Sequence, residues 1–293
     1  DLHSFPTRRS SDLLEVLLMS QRLAVVIVLY QMKMADTPNY LLLKEVVNHP
    51  ELHLFIYDNS PLPQEDALFL QQNVTYRHNP DNPGLATAYN EAIAFSQTNQ
   101  CELLLLLDQD TEVPASYFDT LIIMPLDPTV AVYVPIVEAN GQQISPVYSD
   151  QYVGLKGAKP TAGIANQPLM AINSGTVITA ETLRWLEGFS EEFPLDYLDH
   201  WFFYQLNQAN KKIEVLPIHL KQELSVLDYR TMSPQRYRSI IEAETLFYRR
   251  YDQEKFSHHR RHLFLRSSKQ FLTVKNRQIW RQTLAEFLKL MKG

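Results

Sequence analysis

The chain has 293 residues, 45% hydrophobic and 20% charged, with 27 basic side chains, 33 acidic ones and a single cysteine. Such a composition fills a core and is too mixed for an intrinsically disordered chain. Lone Cys101 excludes a disulfide framework and a cysteine-built zinc site, and fits a reducing compartment. The charge is uneven: residues 230–293 hold 15 basic and 5 acidic side chains, against 12 and 28 in the remainder, a basic appendage on an acidic body.

Residues 1–13, DLHSFPTRRSSDL, lack hydrophobic periodicity and read codon for codon as translated sequencing-adapter DNA. Residues 1–18 are therefore expected to be a non-native or disordered leader, with Met19 as the start, and are set aside from fold reasoning. Leu23–Tyr30 is a continuous apolar run, the pattern of a strand buried on both faces of a parallel sheet. The longest such runs, this one and Leu103–Leu107, fall short of the roughly 18 residues that a membrane-spanning helix needs. Tyr40–Asn48 reads as a helix, Leu52–Tyr57 as a strand ending at Asp58-Asn59-Ser60, Glu65–Gln72 as helical and Val74–His78 as a third strand. Leu85–Gln97 has helical spacing, and Cys101–Leu107 is a fourth strand ending at Asp108-Gln109-Asp110. Pro114–Ile123 reads as helix and Val130–Pro135 as strand. This alternation predicts an α/β layered domain with a mainly parallel sheet.

Ala139–Pro168 reads as an irregular connection, followed by a strand-like Leu169–Val177, a helix over Ala180–Glu187 and an acid-aromatic segment, Phe193–Phe203. Ile213–Pro217 is a last short strand, and from Ser233 the pattern is helical, basic and aromatic. Parallel sheets bind ligands beyond the carboxyl ends of their strands. Two of those ends carry acids, Asp58 and Asp108/Asp110. Two carboxylates separated by one residue at a strand end can hold a hard divalent cation, which would neutralise a diphosphate. The same pair alone also suits a turn or a helix cap.

Six segments raise that reading: AVVIVLY (24–30), IYDNS (56–60), NPDNPGLATAYNEAI (79–93), LLLLLDQDT (103–111), NSGTVIT (173–179) and GFSEEFPLDYLDHWFF (188–203). In this order the chain resembles the family 2 glycosyltransferases of the GT-A fold, close to their bacterial rhamnosyltransferase-like branch. The resemblance implies a Rossmann-like GT-A domain over residues 19–225 and a helical C-terminal extension over 226–293. It also implies inverting, metal-dependent transfer of rhamnose or a hexose from a nucleoside-diphosphate donor to a hydroxyl of a surface polysaccharide or lipid-linked glycan. Tyr30, Asp58, Asn79, Gly84, Asn90 and Asp108 would bind the donor. Asp110, with Asp108 and His219, would hold Mg2+ or Mn2+. Asp199 would be the base, with Asp196 as its supporting or acceptor-binding acid. Plainer roles compete at each position: a capped turn for Asp58, a turn for Gly84, a satisfied helix residue for Asn90, a helix cap for Asp196 and an ordinary surface position for His219.

The sequence departs from the family where an acid and an arginine usually follow the base, here Trp201 and Gln205, and where a glycine usually precedes the next strand, here Ala209-Asn-Lys-Lys. The basic, aromatic C-terminal helices suit either an anionic membrane surface or a packing element, for instance of a homodimer. The acidic body and the missing motif weigh against nucleic acid as a partner. The resulting expectation is a cytoplasmic enzyme, peripheral on the inner face of the cell membrane where its acceptor is lipid-linked. A nucleotidyltransferase is the rival enzyme, but the glycine-rich loop it carries after the first strand is replaced here by Tyr30-Gln-Met-Lys. A catalytically inactive sugar-nucleotide-binding scaffold is the rival from another class.

Overall fold

The structure, a computed structural model, describes residues 20–149, 159–222 and 232–292. The leader, Met19 and the expected boundary at 225/226 lie outside these residues. The strands are β1 (Leu23–Leu29), β2 (Leu52–Asp58), β3 (Val74–His78), β4 (Leu103–Asp108), β5 (Thr111–Glu112), β6 (Val130–Ala139), β7 (Gln142–Ser145), β8 (Val147–Tyr148), β9 (Gly163–Ile164), β10 (Leu169–Met170), β11 (Val177–Thr179) and β12 (Lys212–Gln222). The helices are α1 (Tyr40–Val46), α2 (Leu85–Thr98), α3 (Ser116–Ile123), α4 (Ala180–Leu186), α5 (Leu198–Gln208), α6 (Pro234–Arg250), α7 (Phe256–Thr273) and α8 (Arg277–Lys292).

The main sheet runs in the order β3-β2-β1-β4-β11-β6-β12-β5. The pairs β2–β3, β1–β2, β1–β4 and β6–β12 are parallel, and β11 lies antiparallel between β4 and β6. Period-two alternation builds a core on each face. Ala24, Val26 and Val28 join Leu104 and Leu106 in the core under α2 and α5, while Leu23, Val25, Ile27 and Leu29 join Leu103, Leu105 and Leu107 under α1 and α3. A strand buried on both sides cannot show polar alternation, hence the unbroken LAVVIVL and LLLLL runs.

Four expectations change. Glu65–Gln72 forms only a 3-10 turn at Ala67–Leu70, because the Asp66 carboxylate accepts from Leu68 N and closes a local turn. The connection 139–168 is not wholly irregular: Asn140 and Gly141, both at positive φ, make a two-residue hairpin that pairs β6 with β7. Leu169–Val177 is no single strand, since the chain turns over residues 173–176, where Gly175 has φ +80°. Finally, β12 continues past Pro217 to Gln222, with a register irregularity between Val215 and His219 that accommodates the proline.

The C-terminal helices are not loosely attached. Phe247 and Tyr248 of α6 belong to the core that holds Phe193, Phe202 and Phe203, while Tyr237, Ile241, Leu263 and Ile279 form a smaller cluster among α6, α7 and α8. Inside this bundle Glu244, 2% exposed, accepts two hydrogen bonds from the Arg266 guanidinium at 2.6 and 2.7 Å. Burial alone would raise the Glu244 carboxyl, but His259 and Arg266 outweigh it and hold it well below its ordinary value. A depressed carboxyl stabilises the fold at pH values above its unfolded-state pKa, near 4.5, and progressively less below it. Glu244→Gln should therefore lower stability at pH 7 by about 3 kcal/mol, leaving the half-buried Arg266 without its anion, and the deficit should narrow at pH 4. Urea unfolding of both proteins at the two pH values checks this.

Candidate active site

Strand register lines up the predicted residues along one edge of the sheet. Leu29 pairs with Asp58, Val28 with Asp108 and Asp58 with His78, so Tyr30, Asp58, Asn79 and Asp108 all emerge at the carboxyl ends of β1–β4. The order of these strands reverses between β1 and β4, which makes this edge the topological switch point.

Asp58 is fully buried and saturated by its own chain. Its carboxylate accepts from Ser60 N at 2.9 Å, Gln64 Nε2 at 2.9 Å and the Tyr76 hydroxyl at 2.8 Å. Burial would raise this carboxyl, and the hydrogen bonds from Ser60, Gln64 and Tyr76 bring it below its ordinary value. Asp58 thus anchors the loop after β2. Asn79 ties the next loop, donating to the Tyr57 hydroxyl at 2.9 Å and accepting from Asp81 N at 3.2 Å. Tyr30 has 45% of its surface exposed, and its backbone is clasped by the Gln109 amide, which accepts from Tyr30 N and donates to Tyr30 O. Gln109 thereby joins the ends of β1 and β4, a role absent from the sequence reading.

Asp108 and Asp110 face a common partner, Gln222 at the end of β12, whose Nε2 lies 3.1 Å from Asp108 Oδ2 and 3.5 Å from Asp110 Oδ1. Ser174 Oγ accepts from Asp108 N at 2.8 Å and donates to Thr111 Oγ1 at 2.7 Å, so the 173–176 turn braces the strand end. Burial first, then the negative charges of Asp110 and Asp199, push the Asp108 carboxyl up to about 7. Beside Asp110 opens a cleft of about 810 Å3 lined by Met32, Pro38, Glu112, Glu138, Lys221 and Gln222.

Three residues around Asp108 hold buried polar atoms without a partner: Tyr89 Oη, Asn173 Oδ1 and Gln222 Oε1. Buried polar atoms are rarely left unpaired, so their concentration beside two mutually repelling carboxylates marks a place for a ligand. Asp108 and Asp110 offer carboxylate oxygens that suit a hard divalent cation, to which the Gln222 amide would add its unpartnered Oε1 on turning over, since its Nε2 now faces both acids. His219 does not join them. It stands 57% exposed on β12 with Nδ1 2.8 Å from Glu138 Oε1, and Gln222, three residues on, occupies the position expected of it. Among the described residues no three His, Cys, Asp or Glu side chains converge on a metal site, so the cation would rest on two carboxylates and an amide.

Gly84 and Asn90, expected at the donor, also hold neighbouring chain. Leu85 N and Ala86 N donate to Pro194 O at 2.6 and 3.3 Å, so the start of α2 is capped by a carbonyl and not open to an anion. Asn90 grips Phe189 twice, Nδ2 to O at 3.0 Å and N to Oδ1 at 2.6 Å. Together they clasp residues 188–194, the segment leading into Asp196 and Asp199.

Asp196 lies under α6, where Arg236 and Ser239 both donate to its Oδ2. Burial raises its carboxyl above the ordinary value despite Arg236. It tethers the site to the C-terminal helices. Asp199, in the first turn of α5, is 24% exposed, and its Oδ1 accepts from His200 N at 2.8 Å and pairs with His200 Nδ1 at 2.9 Å. Burial raises this carboxyl too, but His200 brings it below the ordinary value, so it stays ionised. Both His200 contacts fall on Oδ1. The His200 ring is fixed by stacking on Tyr197 at 4.1 Å. Asp199 raises both Asp108 and the buried Tyr89 hydroxyl electrostatically, so its charge is felt at the strand end. Trp201, where the family has an acid, is 8% exposed and packs 6.3 Å from Phe189, a core role. Asn210 takes the left-handed turn (φ 51°) expected of the missing glycine.

No curated protein matches the sequence. Among solved structures the chain is similar to GalNAc-T7, crystallised with UDP, GalNAc and Mn2+, at 13% identity and a TM-score of 0.51, covering 78% of this chain and 50% of that one. TarS from S. aureus (segment 1–349) gives 13% identity and a TM-score of 0.46 over 92% of this chain and 80% of that one, and its complex with UDP gives 14% and 0.46. The chain spans half the length of GalNAc-T7, and that likeness is one of fold. The curled, mostly parallel sheet with flanking helices is the GT-A fold, and residues 40–176 match the model of Glycosyl transferase family 2.

Proposed function

We propose that the chain is an inverting, divalent-cation-dependent glycosyltransferase that moves a rhamnosyl or hexosyl unit from a nucleoside-diphosphate donor to a hydroxyl of a cell-surface polysaccharide or lipid-linked glycan. The observation that supports this is the pairing of two strand-end carboxylates, Asp108 and Asp110 bridged by Gln222, with an ionised Asp199 near enough for its charge to raise Asp108. The GalNAc-T7 structure, with its UDP, GalNAc and Mn2+, supports the same ligand classes.

Asp108, Asp110 and Gln222 would hold Mg2+ or Mn2+, and when bound the cation offsets the charge of the diphosphate leaving group. The exposed Tyr30 ring at the end of β1 suits the face of the nucleobase. Asp199 Oδ2 takes the proton of the acceptor hydroxyl as that oxygen attacks the anomeric carbon from the side opposite the diphosphate. His200 fixes the other oxygen, so the carboxylate cannot rotate away. A 220 Å3 cavity beside His200, walled by Phe203, Tyr204, Tyr248 and Asn207, suits part of a glycan acceptor.

The test is thermal unfolding of the protein with a panel of nucleoside diphosphates and their sugars, with and without Mn2+ or Mg2+. One nucleotide should raise the melting temperature only with cation, since ligand at about 100 Kd adds about 2.7 kcal/mol. Asp110→Ala should abolish the cation-dependent part. A folded protein that no nucleotide stabilises contradicts the reading and favours the inactive scaffold.

A further inference from the structure

The last two helices bear a surface that this chemistry does not use. Phe264, Leu265, Phe271 and Leu272 of α7 are 50%, 53%, 49% and 81% exposed, and Leu288 and Met291 of α8 are 47% and 60% exposed. Helical spacing explains the arrangement: the buried row of α7 is His259, Leu263, Ser267 and Gln270, Leu265 and Leu272 lie opposite it, and Phe264 and Phe271 lie on the flank toward α8. Exposed Arg261, Ser268 and Lys269 lie among them. Two ring contacts join the outer faces of the helices into one surface, Phe264 to Phe287 at 5.5 Å and Phe271 edge-on to Trp280 at 5.1 Å. Arg277 sits over the Phe271 ring and Arg281 over the Trp280 ring, at 5.2 and 5.8 Å.

The charge of this surface is one-sided. The sequence of α7 contains no acidic residue, and the single acid of α8, Glu286, is 8% exposed and paired with Lys289 at 2.8 Å. A soluble face gains nothing from large apolar side chains held out beside unneutralised cations. An anionic lipid surface matches both, taking rings and aliphatic chains at the level of the headgroups while the cations meet lipid phosphates. No helix of the described residues is long and apolar enough to cross a membrane, so the contact is one of lying on the surface. We infer that the outer face of the α7–α8 hairpin docks the protein on anionic lipid. A second copy of the chain would bring two cationic faces together, and a nucleic acid would leave Leu265, Leu272 and Met291 without partners. The inference rests on these helices alone and stands apart from the reading of the strand-end acids.

Sedimentation of the full chain with vesicles tests it. Phosphatidylcholine vesicles containing phosphatidylglycerol should retain the protein at least about tenfold more strongly than phosphatidylcholine alone, and added salt should weaken the binding. Leu272→Ser with Phe271→Ser, and separately Arg261→Glu with Lys269→Glu, should each weaken it by about tenfold or more. Leu265→Ser serves as a second apolar variant should the first melt early. Equal retention on both vesicles, or none, overturns the inference. So does binding lost in the charge variant but kept in both apolar variants, which indicates a soluble polyanion. A concentration-dependent dimer abolished by Leu272→Ser, without vesicle binding, assigns the face to a second copy instead.

Discussion

Asp199→Asn is expected to slow sugar transfer by about a thousandfold while nucleotide binding stays within about twofold of the parent, because proton removal by a positioned base contributes about 10²–10⁴ in rate. The amide keeps the size of the side chain and an oxygen for His200 N and Nδ1. What it loses is the basic Oδ2. A thousandfold loss is about 4 kcal/mol of transition-state stabilisation, all from one protonation event. Single-turnover transfer together with calorimetric nucleotide binding separates the two terms. Turnover near that of the parent would move the base elsewhere. Asp196 is a poor substitute, since its Oδ2 is already held by Arg236 and Ser239.

Gly84→Ala should destabilise the protein by about 3 kcal/mol or more and lower transfer at the same time, because strained backbone and overpacking act together. Gly84 has φ +99°, and a Cβ there would lie 2.3 Å from Pro194 O. That carbonyl is not free to retreat, since it caps α2 through Leu85 N at 2.6 Å. Relief requires moving the segment that leads into Asp199, so stability and activity fall together. For a chain of this size the loss corresponds to a melting temperature lowered by roughly 6 °C or more. A melt within about one degree of the parent, with normal transfer, would show that the clasp is dispensable.

Much of this was legible in the sequence, for identifiable reasons. Strands buried on both faces announce themselves as unbroken apolar runs, which is why Leu23–Leu29 and Leu103–Asp108 were placed within a residue or two. The acids at their ends follow from register alone. The Asn140-Gly141 pair is an equally readable hairpin signal, within a stretch whose polarity otherwise reads as irregular. Other features needed three dimensions. Nothing local tells that Gln222 reaches Asp108 across 114 positions, or that Ser174 braces the same strand end. The clasp made by Gly84 and Asn90 is not announced locally, because clasping a neighbouring loop and approaching a ligand ask for the same residue types. The partner of Asp196, a supporting or acceptor-binding acid by expectation, is equally hidden, since Arg236 lies 40 residues further on in a separate helix.

Release of nucleoside diphosphate from a panel of nucleotide sugars, measured with divalent cation and a mixture of glycan acceptors, tests the central claim most directly. The account predicts release from at least one donor, lost on chelation of the metal and reduced about a thousandfold in Asp199→Asn. Release from no donor by a folded protein, or release indifferent to both chelation and Asp199→Asn, would contradict it.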